Sequence, residues 1–347
     1  MVDAIRALFA GEEAWFVGGS VRDELLGRAV VDVDVACADP EGAARAYARQ
    51  AKGAPFPLSA EHGGWRVAFE DGHTVDFVPV QGGSIEADLA LRDFTANAMA
   101  ELVAGGERLD PHGGAADLEA GRLRAVSDGV FQADPGRLLR AVRFERELGL
   151  RLDAETERLV RRDAHLADRP SGERTLEALL RLDAEGYERA DGLGILAPLG
   201  GSARSLHARP LRDEPSYLLV AALGESVERL PLSNEQRRFA RTLLRGEAPP
   251  DDSPRSLHRF RRATEPWAVE AAWFAGAPEL EGAIHAARGA EPDAPLVRGD
   301  ELGLERGPGI GRMLEEIAEE RAAGTISTRE EALERVRRRT EALRRDG

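Results

Sequence analysis

Two aspartates, Asp32 and Asp34, interrupt an otherwise apolar run, Val-Val-Asp-Val-Asp-Val-Ala at residues 30–36. In an extended strand residues i and i+2 point to the same side, so the two carboxylates project together while Val31, Val33 and Val35 face the other way. Like charges held side by side repel unless a cation lies between them, and a hard divalent ion such as Mg²⁺ suits oxygen donors. An exposed edge strand with two solvated aspartates would carry the same pattern. Just upstream, Gly18-Gly19-Ser20 follows the strand-like Ala-Trp-Phe-Val and opens a helical stretch, a place where backbone N–H groups can hold phosphate oxygens. A triphosphate beside two metal-binding carboxylates means nucleotidyl or phosphoryl transfer.

Other spacings admit both a functional and a plain reading. Asp93 and Asn97 are four residues apart and would share a helical face, with Arg92 close to it, offering donors and acceptors to a ribose and phosphates. The same residues could equally cap a helix start. Asp134 followed by Pro135 has the form of an N-cap with proline at the first helical position, which needs no ligand.

The elements that must position these groups fall into two regimes. Up to about residue 125, short β-like runs alternate with helical stretches, and "WRVAFEDGHTVDFVPV" reads as a hairpin around Asp71-Gly72. From about residue 126 the strand signal stops. Apolar spacing of i, i+3, i+4 then dominates in "PGRLLRAVRFERELGL", "ERTLEALLRLDAEG" and "GRMLEEIAEERAAG". The expected fold is α+β: a catalytic head with a mixed sheet at 1–125, a helical neck at 126–190, a helical body at 191–290 and a helical tail at 291–347. Pro/Gly-rich breaks near 194–210, 246–254 and 288–295 mark the joints.

Composition sets the class. A length of 347 residues with 42% hydrophobic content provides for several packed cores. No run approaches 18 uncharged apolar residues, and the acidic, interrupted start "MVDAIRALFAGEEAWF" lacks the form of a leader peptide, so the expected compartment is the cytoplasm. One cysteine, Cys37, excludes an intramolecular disulfide and a cysteine-rich zinc site, and the seven histidines show no ligand spacing. A formal charge of −15 argues against indiscriminate coating of nucleic acid while leaving room for a local basic groove. Lys52 is the only lysine, so nearly every cation is an arginine, which forks to phosphates and stacks on bases.

The ordered set "GGSVRDELLGRAVVDVDVA" (18–36), "LRDFTANAMAEL" (91–102), "DPHGGAADLEAGRLRAV" (110–126), "FQADPGRLLRAVRFERELGL" (131–150), "SGERTLEALLRLD" (171–183) and "PLVRGDELGLERGPGIGRMLEEI" (295–317) resembles the class II tRNA nucleotidyltransferases. These are the CCA-adding enzymes, related to bacterial poly(A) polymerases within the polymerase β-like superfamily. The likeness is weakest from about 190 to 290. It implies attack of a tRNA 3′-hydroxyl on the α-phosphate of CTP or ATP, with release of pyrophosphate and no nucleic-acid template. Asp32 and Asp34 would hold Mg²⁺, and Asp76, on a strand expected to neighbour the first, would be a third carboxylate near the primer end. Gly18, Gly19, Ser20 and Arg22 would hold the triphosphate, with Arg92, Asp93 and Asn97 beside it. Asp134 and Arg137, three apart on one helical face, would read the base edge, and Arg140 and Arg143 continue that row in phosphate-contacting or ion-paired roles. The body and tail would grip the acceptor and T arms of tRNA, where "LERGPGIGRMLEE" offers glycines and a proline before a helix. No membrane and no protein partner is implied.

Three departures stand out. Leu91-Arg92 replaces the family's double arginine, Ala133 stands where its Glu-Asp-x-x-Arg motif has glutamate, and only "FVPVQGGSIEADLAL" separates Asp76 from Arg92. CCA-adding members resembled here carry a longer arginine-containing loop at that place, and its shortening is the mark of relatives that add only CC. A poly(A) polymerase shares every head motif, and a non-catalytic RNA-binding relative would keep the fold; retention of both Asp32 and Asp34 favours an enzyme.

Overall fold

The computed structural model describes residues 1–58, 63–290, 294–304 and 307–345. The chain forms two compact units, Met1–Gly200 and Gly201–Gly347.

The first unit is built on a mixed sheet, as expected of an α+β head. Its strands β1 (Ala14–Val17), β2 (Asp32–Cys37), β3 (Ala54–Pro57), β4 (Trp65–Ala68), β5 (Thr74–Pro79) and β6 (Ala100–Leu102) lie in the order β3-β4-β5-β2-β1-β6. Only β2 and β5 run parallel. The expected hairpin joins β4 to β5, and Gly72 supplies the positive φ of +86° its turn requires.

Period-two patterning decides which way β2 faces. Val33 and Val35, with Val75 and Phe77 of β5, are buried. Helices α1 (Val2–Leu8) and α3 (Pro40–Ala51) cover this side, Phe9 and Tyr47 packing their rings 6.3 and 5.8 Å from that of Phe77. Each such side chain stabilises the fold by about 1.5–3 kcal/mol, so a one-residue slip that turned these groups out and the aspartates in is heavily disfavoured. Val31 does not join this row. It precedes the strand and is 48% exposed.

The opposite face holds the acids. Going along β2, Asp32 is exposed, Asp34 is partly covered and Ala36 is fully buried. The cover comes from Ile85 and Leu89 of α4 (Ile85–Ala90), which pack with Ala36, Val17 and Ala98. Helix α2 (Gly19–Leu25) leads from β1 towards β2.

The remainder of the first unit contains α5 (Gly114–Glu119), β7 (Arg122–Leu123), α6 (Val130–Ala133), α7 (Arg137–Leu148), β8 (Arg151–Leu152), α8 (Ala154–Asp163), α9 (Gly172–Leu180) and α10 (Ala184–Gly192). Strand structure therefore continues past residue 126, because β8 pairs in parallel with β7. The pairing is too short to leave a pattern: Gly149, at φ +66°, stops α7, and Glu145 then accepts the Leu152 N–H at 2.8 Å. "ERTLEALLRLDAEG" is also not one helix. Asp183 accepts the Gly186 N–H at 2.8 Å and starts α10 afresh.

The second unit is helical among its described residues, with α11 (Ala203–His207), α12 (Pro215–Leu223), α13 (Asn234–Arg245), α14 (Pro254–Thr264), α15 (Ala268–Phe274), α16 (Glu281–Gly289), α17 (Pro308–Ala322) and α18 (Arg329–Arg345). Helix α17 begins at Pro308, so Gly309 and Gly311 lie inside its first turns rather than ahead of it, while residues 305–306 of that motif fall outside the described residues. Proline at the first helical position loses no hydrogen bond, which is why the helix can start there. Among the described residues no helix is long and apolar enough to cross a membrane.

Candidate active site

The parallel register sets Asp34 directly opposite Asp76 and Asp32 opposite Thr74. Thr74 donates its hydroxyl to Asp32 Oδ1 at 2.7 Å. Asp76 receives both Nε and Nη2 of Arg66 at 2.7 Å, a bidentate pair across the β4–β5 hairpin. Burial, then the Asp76 charge, pushes the Asp34 carboxyl up to about 6, with Asp32 adding to the rise while Arg92 and Arg66 oppose it.

Gly18 brings a cation to the same place. Its φ of +68° falls where glycine is favoured, and a Cβ there would stand 2.9 Å from Arg92 Nη1 and 3.2 Å from Asp34 Oδ2. Arg92 is held from behind, its Nε and Nη2 donating to Asp88 Oδ2 at 3.0 and 2.9 Å. Asp88 Oδ1 accepts the Gln81 N–H at 3.1 Å, so the segment between Asp76 and Arg92 is a short turn and α4, tied down at both ends.

Two predicted phosphate ligands turn inward instead. The Ser20 hydroxyl donates to the Val17 carbonyl at 3.0 Å, bracing the turn. Arg22 is buried; its Nη1 donates to Asn97 Oδ1 at 2.7 Å and its Nε and Nη2 to Asp23. Gly19 lies at the first position of α2 with only the Arg22 side chain near a would-be Cβ.

Asp93 and Asn97 do meet, but not on the face of a helix: only Thr95–Asn97 is helical, as a single 3₁₀ turn. Asn97 Nδ2 donates to Asp93 Oδ1 at 3.0 Å, and Arg140 of α7 donates Nε to Asp93 Oδ2 at 2.9 Å and pairs with it through Nη2 at 2.8 Å. Burial raises the Asp93 carboxyl, and Arg140 and Asn97 more than offset it, so the net direction is down. Arg22, Arg140 and Arg143 lie 5.3, 5.0 and 4.9 Å from the centre of the Phe144 ring. Arg143 pairs with Glu147 at 3.4 Å, and burial pushes its guanidinium down.

Asp134 and Arg137 are neighbours without sharing a helical face. Asp134 is extended, at φ −144°, between α6 and α7, and α7 starts only at Arg137. The Arg137 guanidinium donates to backbone carbonyls, to Leu91 O at 2.8 Å and Arg92 O at 3.4 Å. Arg66, Asp88, Arg174 and Phe144 are the residues sequence reasoning missed. Arg66 was readable from the hairpin register and Asp88 from its i, i+4 spacing to Arg92.

The acidic group fits a divalent cation of the hard, oxygen-binding kind. Two carboxylates on one strand repel as found at Asp34, and an ion that keeps its waters and takes substrate phosphates needs no larger protein cage. Among the described residues no group of three or more His, Cys, Asp or Glu could hold a metal, consistent with the engagement of Asp76 by Arg66.

Carboxylates aligned on adjacent parallel strands, with a glycine turn and an arginine against them, define a nucleotidyl-transfer head. Residues 14–82 and 66–124 match the poly A polymerase head domain family. A CC-adding tRNA nucleotidyltransferase from Geobacter sulfurreducens is 46% identical over 51% of this chain, a match that takes in 41% of the relative's own length. An A-adding tRNA nucleotidyltransferase from Deinococcus radiodurans is 33% identical over 94% of this chain and 95% of its own. In fold, the chain is similar to a Thermotoga maritima CCA-adding enzyme complexed with tRNA (TM-score 0.73, 23% identity, 96% and 94% of the two chains). It is also similar to a CCA-adding enzyme in complex with CTP (TM-score 0.76, 22% identity, 98% and 95%). The chain belongs to the tRNA nucleotidyltransferase family, whose members use divalent metal ions.

Proposed function

We propose that this protein extends the 3′ end of tRNA with C residues from CTP, stopping after CC, in the cytoplasm and with Mg²⁺ as its ion. The observation that carries the reading is the pairing of Asp34 with Asp76 against the Gly18 turn and Arg92. The bond formed joins the tRNA 3′-oxygen to the α-phosphorus, and the bond broken frees pyrophosphate.

Asp32 and Asp34 would hold the ion, which neutralises triphosphate charge and favours the alkoxide form of the attacking hydroxyl. Gly18 and Gly19 present backbone to the phosphates, and the free Nη1 edge of Arg92 adds a charge there. Asp76, aimed by Arg66, faces the primer end. Asp93, Asn97, Arg22, Arg140 and Arg143 form the frame joining turn and neck, with the outer faces of Arg140 and Arg143 towards phosphates. Asp134 and Arg137 read the base edge: a carboxylate accepts from the amino group of cytosine or adenine, and a guanidinium donates to ring acceptors. In this reading 1–125 is the catalytic head, 126–190 the base-selecting neck, 191–290 the body and 291–347 the tail that grips the acceptor and T arms by shape.

Stopping at CC is supported by the tied-down segment between Asp76 and Arg92 and by the CC-adding relative at 46% identity. A second reading, addition of the terminal A, is favoured by the near end-to-end match to the A-adding relative. Gel-resolved extension separates them, using tRNA lacking its 3′ end or ending in CC, with CTP, ATP or both. Two added residues with CTP, unchanged by ATP, support the first; a third residue when ATP joins CTP would make the protein a full CCA-adding enzyme; one residue from ATP on the CC-ended tRNA and none from CTP supports the second; long A tracts would make it a poly(A) polymerase.

A further inference from the structure

Asp134 is held by a residue 40 positions away. Arg174, in the first turn of α9, donates Nη2 to Asp134 Oδ2 at 2.8 Å, while Oδ1 accepts the Gly136 N–H at 3.0 Å. Arg137, the expected partner, comes only to 3.8 Å of Oδ2, with one donor each from its Nη1 and Nη2 on the Arg92 and Leu91 carbonyls. Gly136 makes the approach possible: a Cβ on it would stand 2.7 Å from Arg174 Nη2 and 3.1 Å from both Arg174 Cζ and Asp134 Oδ1. Its backbone, at φ −59° and ψ −20°, would accept any residue, so the space and not the dihedral calls for glycine.

From this arrangement we infer that Arg174 is a specificity-determining positioning residue: it fixes the Asp134 carboxylate as a rigid acceptor pair and thereby sets the discrimination between amino-bearing and carbonyl-bearing bases. The inference rests on the base-reading role of Asp134 given above. A carboxylate pinned on both oxygens cannot swing, so its remaining lone pairs point in fixed directions. Cytosine and adenine bring an amino donor to that point, whereas uracil and guanine bring a carbonyl that an ionised carboxylate repels. Burial raises the Asp134 carboxyl, but the Arg174 hydrogen bond and charge, with the Gly136 amide, bring it below its ordinary value, so it stays acceptor-only. Freed from Arg174, the same carboxylate can rotate or take a proton and accommodate the wrong base.

Arg174 is 54% exposed, so its removal leaves the core intact. The test compares full-length parent, Arg174→Ala, Arg174→Lys, Gly136→Ala and Asp134→Ala on tRNA lacking its 3′ end, reading the CTP-to-UTP ratio of kcat/KM, with thermal midpoints as a folding control. Arg174→Ala should lower the CTP-to-UTP ratio by about tenfold or more, the scale of one charge-assisted hydrogen bond, with a smaller loss in CTP turnover itself. Gly136→Ala, which displaces the guanidinium without backbone strain, should shift the ratio the same way, and Arg174→Lys should restore part of it. Loss of discrimination in Asp134→Ala but not in Arg174→Ala would overturn this inference alone. Unchanged discrimination in Asp134→Ala would overturn the base-reading role and the inference with it.

Discussion

Asp34 and Asp76 face each other across the one parallel pair in the sheet, and the resulting repulsion, added to burial, lifts the Asp34 carboxyl from 3.8 to about 6. A carboxyl whose folded value exceeds its unfolded value costs stability once ionised. The cost is absent below 3.8, grows as pH rises towards 6, and is complete above it. Asp34→Asn should therefore be more stable than the parent at pH 8 without divalent ions, on the order of 1–3 kcal/mol, and show no such advantage at pH 4. Denaturant titrations at the two pH values check this, and added Mg²⁺ should stabilise the parent alone.

Arg66 grips Asp76 with two bonds of 2.7 Å, and the charge that aims this carboxylate also opposes a cation placed beside the Asp34–Asp76 pair. Replacing it with methionine leaves the hairpin apolar contact and exposes the acid. The Mg²⁺ concentration for half-maximal incorporation should fall roughly three- to tenfold. A rise in that concentration would show that the aiming of Asp76 outweighs the opposing charge of Arg66.

Asn97 joins two buried groups, accepting from Arg22 at 2.7 Å and donating to Asp93 at 3.0 Å. Asn97→Leu would strip a partner from both and should cost about 3 kcal/mol in a denaturant midpoint. Because the same link ties α2 to Arg140 on α7, the KM for CTP should rise as well. A stability loss with the KM for CTP unchanged would confine Asn97 to packing.

The acidic pair was legible because a strand repeats every two residues: the valines that bury one face leave the aspartates no choice of side. The β4–β5 hairpin was legible from Asp71-Gly72 for a similarly local reason, and its register carries Arg66 to Asp76. Asp93 and Asn97 were paired correctly by spacing but through the wrong geometry, since a 3₁₀ turn and an outside helix bring them together. Arg22 was read as a phosphate ligand because it follows the glycine turn, and its inward course depends on Asn97, 75 residues on. Arg174 lies within the 171–183 segment, whose helical pattern gives no signal of a link to Asp134. Its contact with Asp134 arises from how α9 packs beside α7, which no local pattern encodes.

In the proposed reaction Asp32 and Asp34 together hold the ion that nucleotidyl transfer needs. Mg²⁺-dependent incorporation of labelled CTP into tRNA lacking its 3′ end is to be compared between the parent and Asp32→Ala. Asp32→Ala, altered at an exposed residue and therefore folded, should lose CTP incorporation by about 10³-fold or more. Equal incorporation by the two proteins would contradict the assignment.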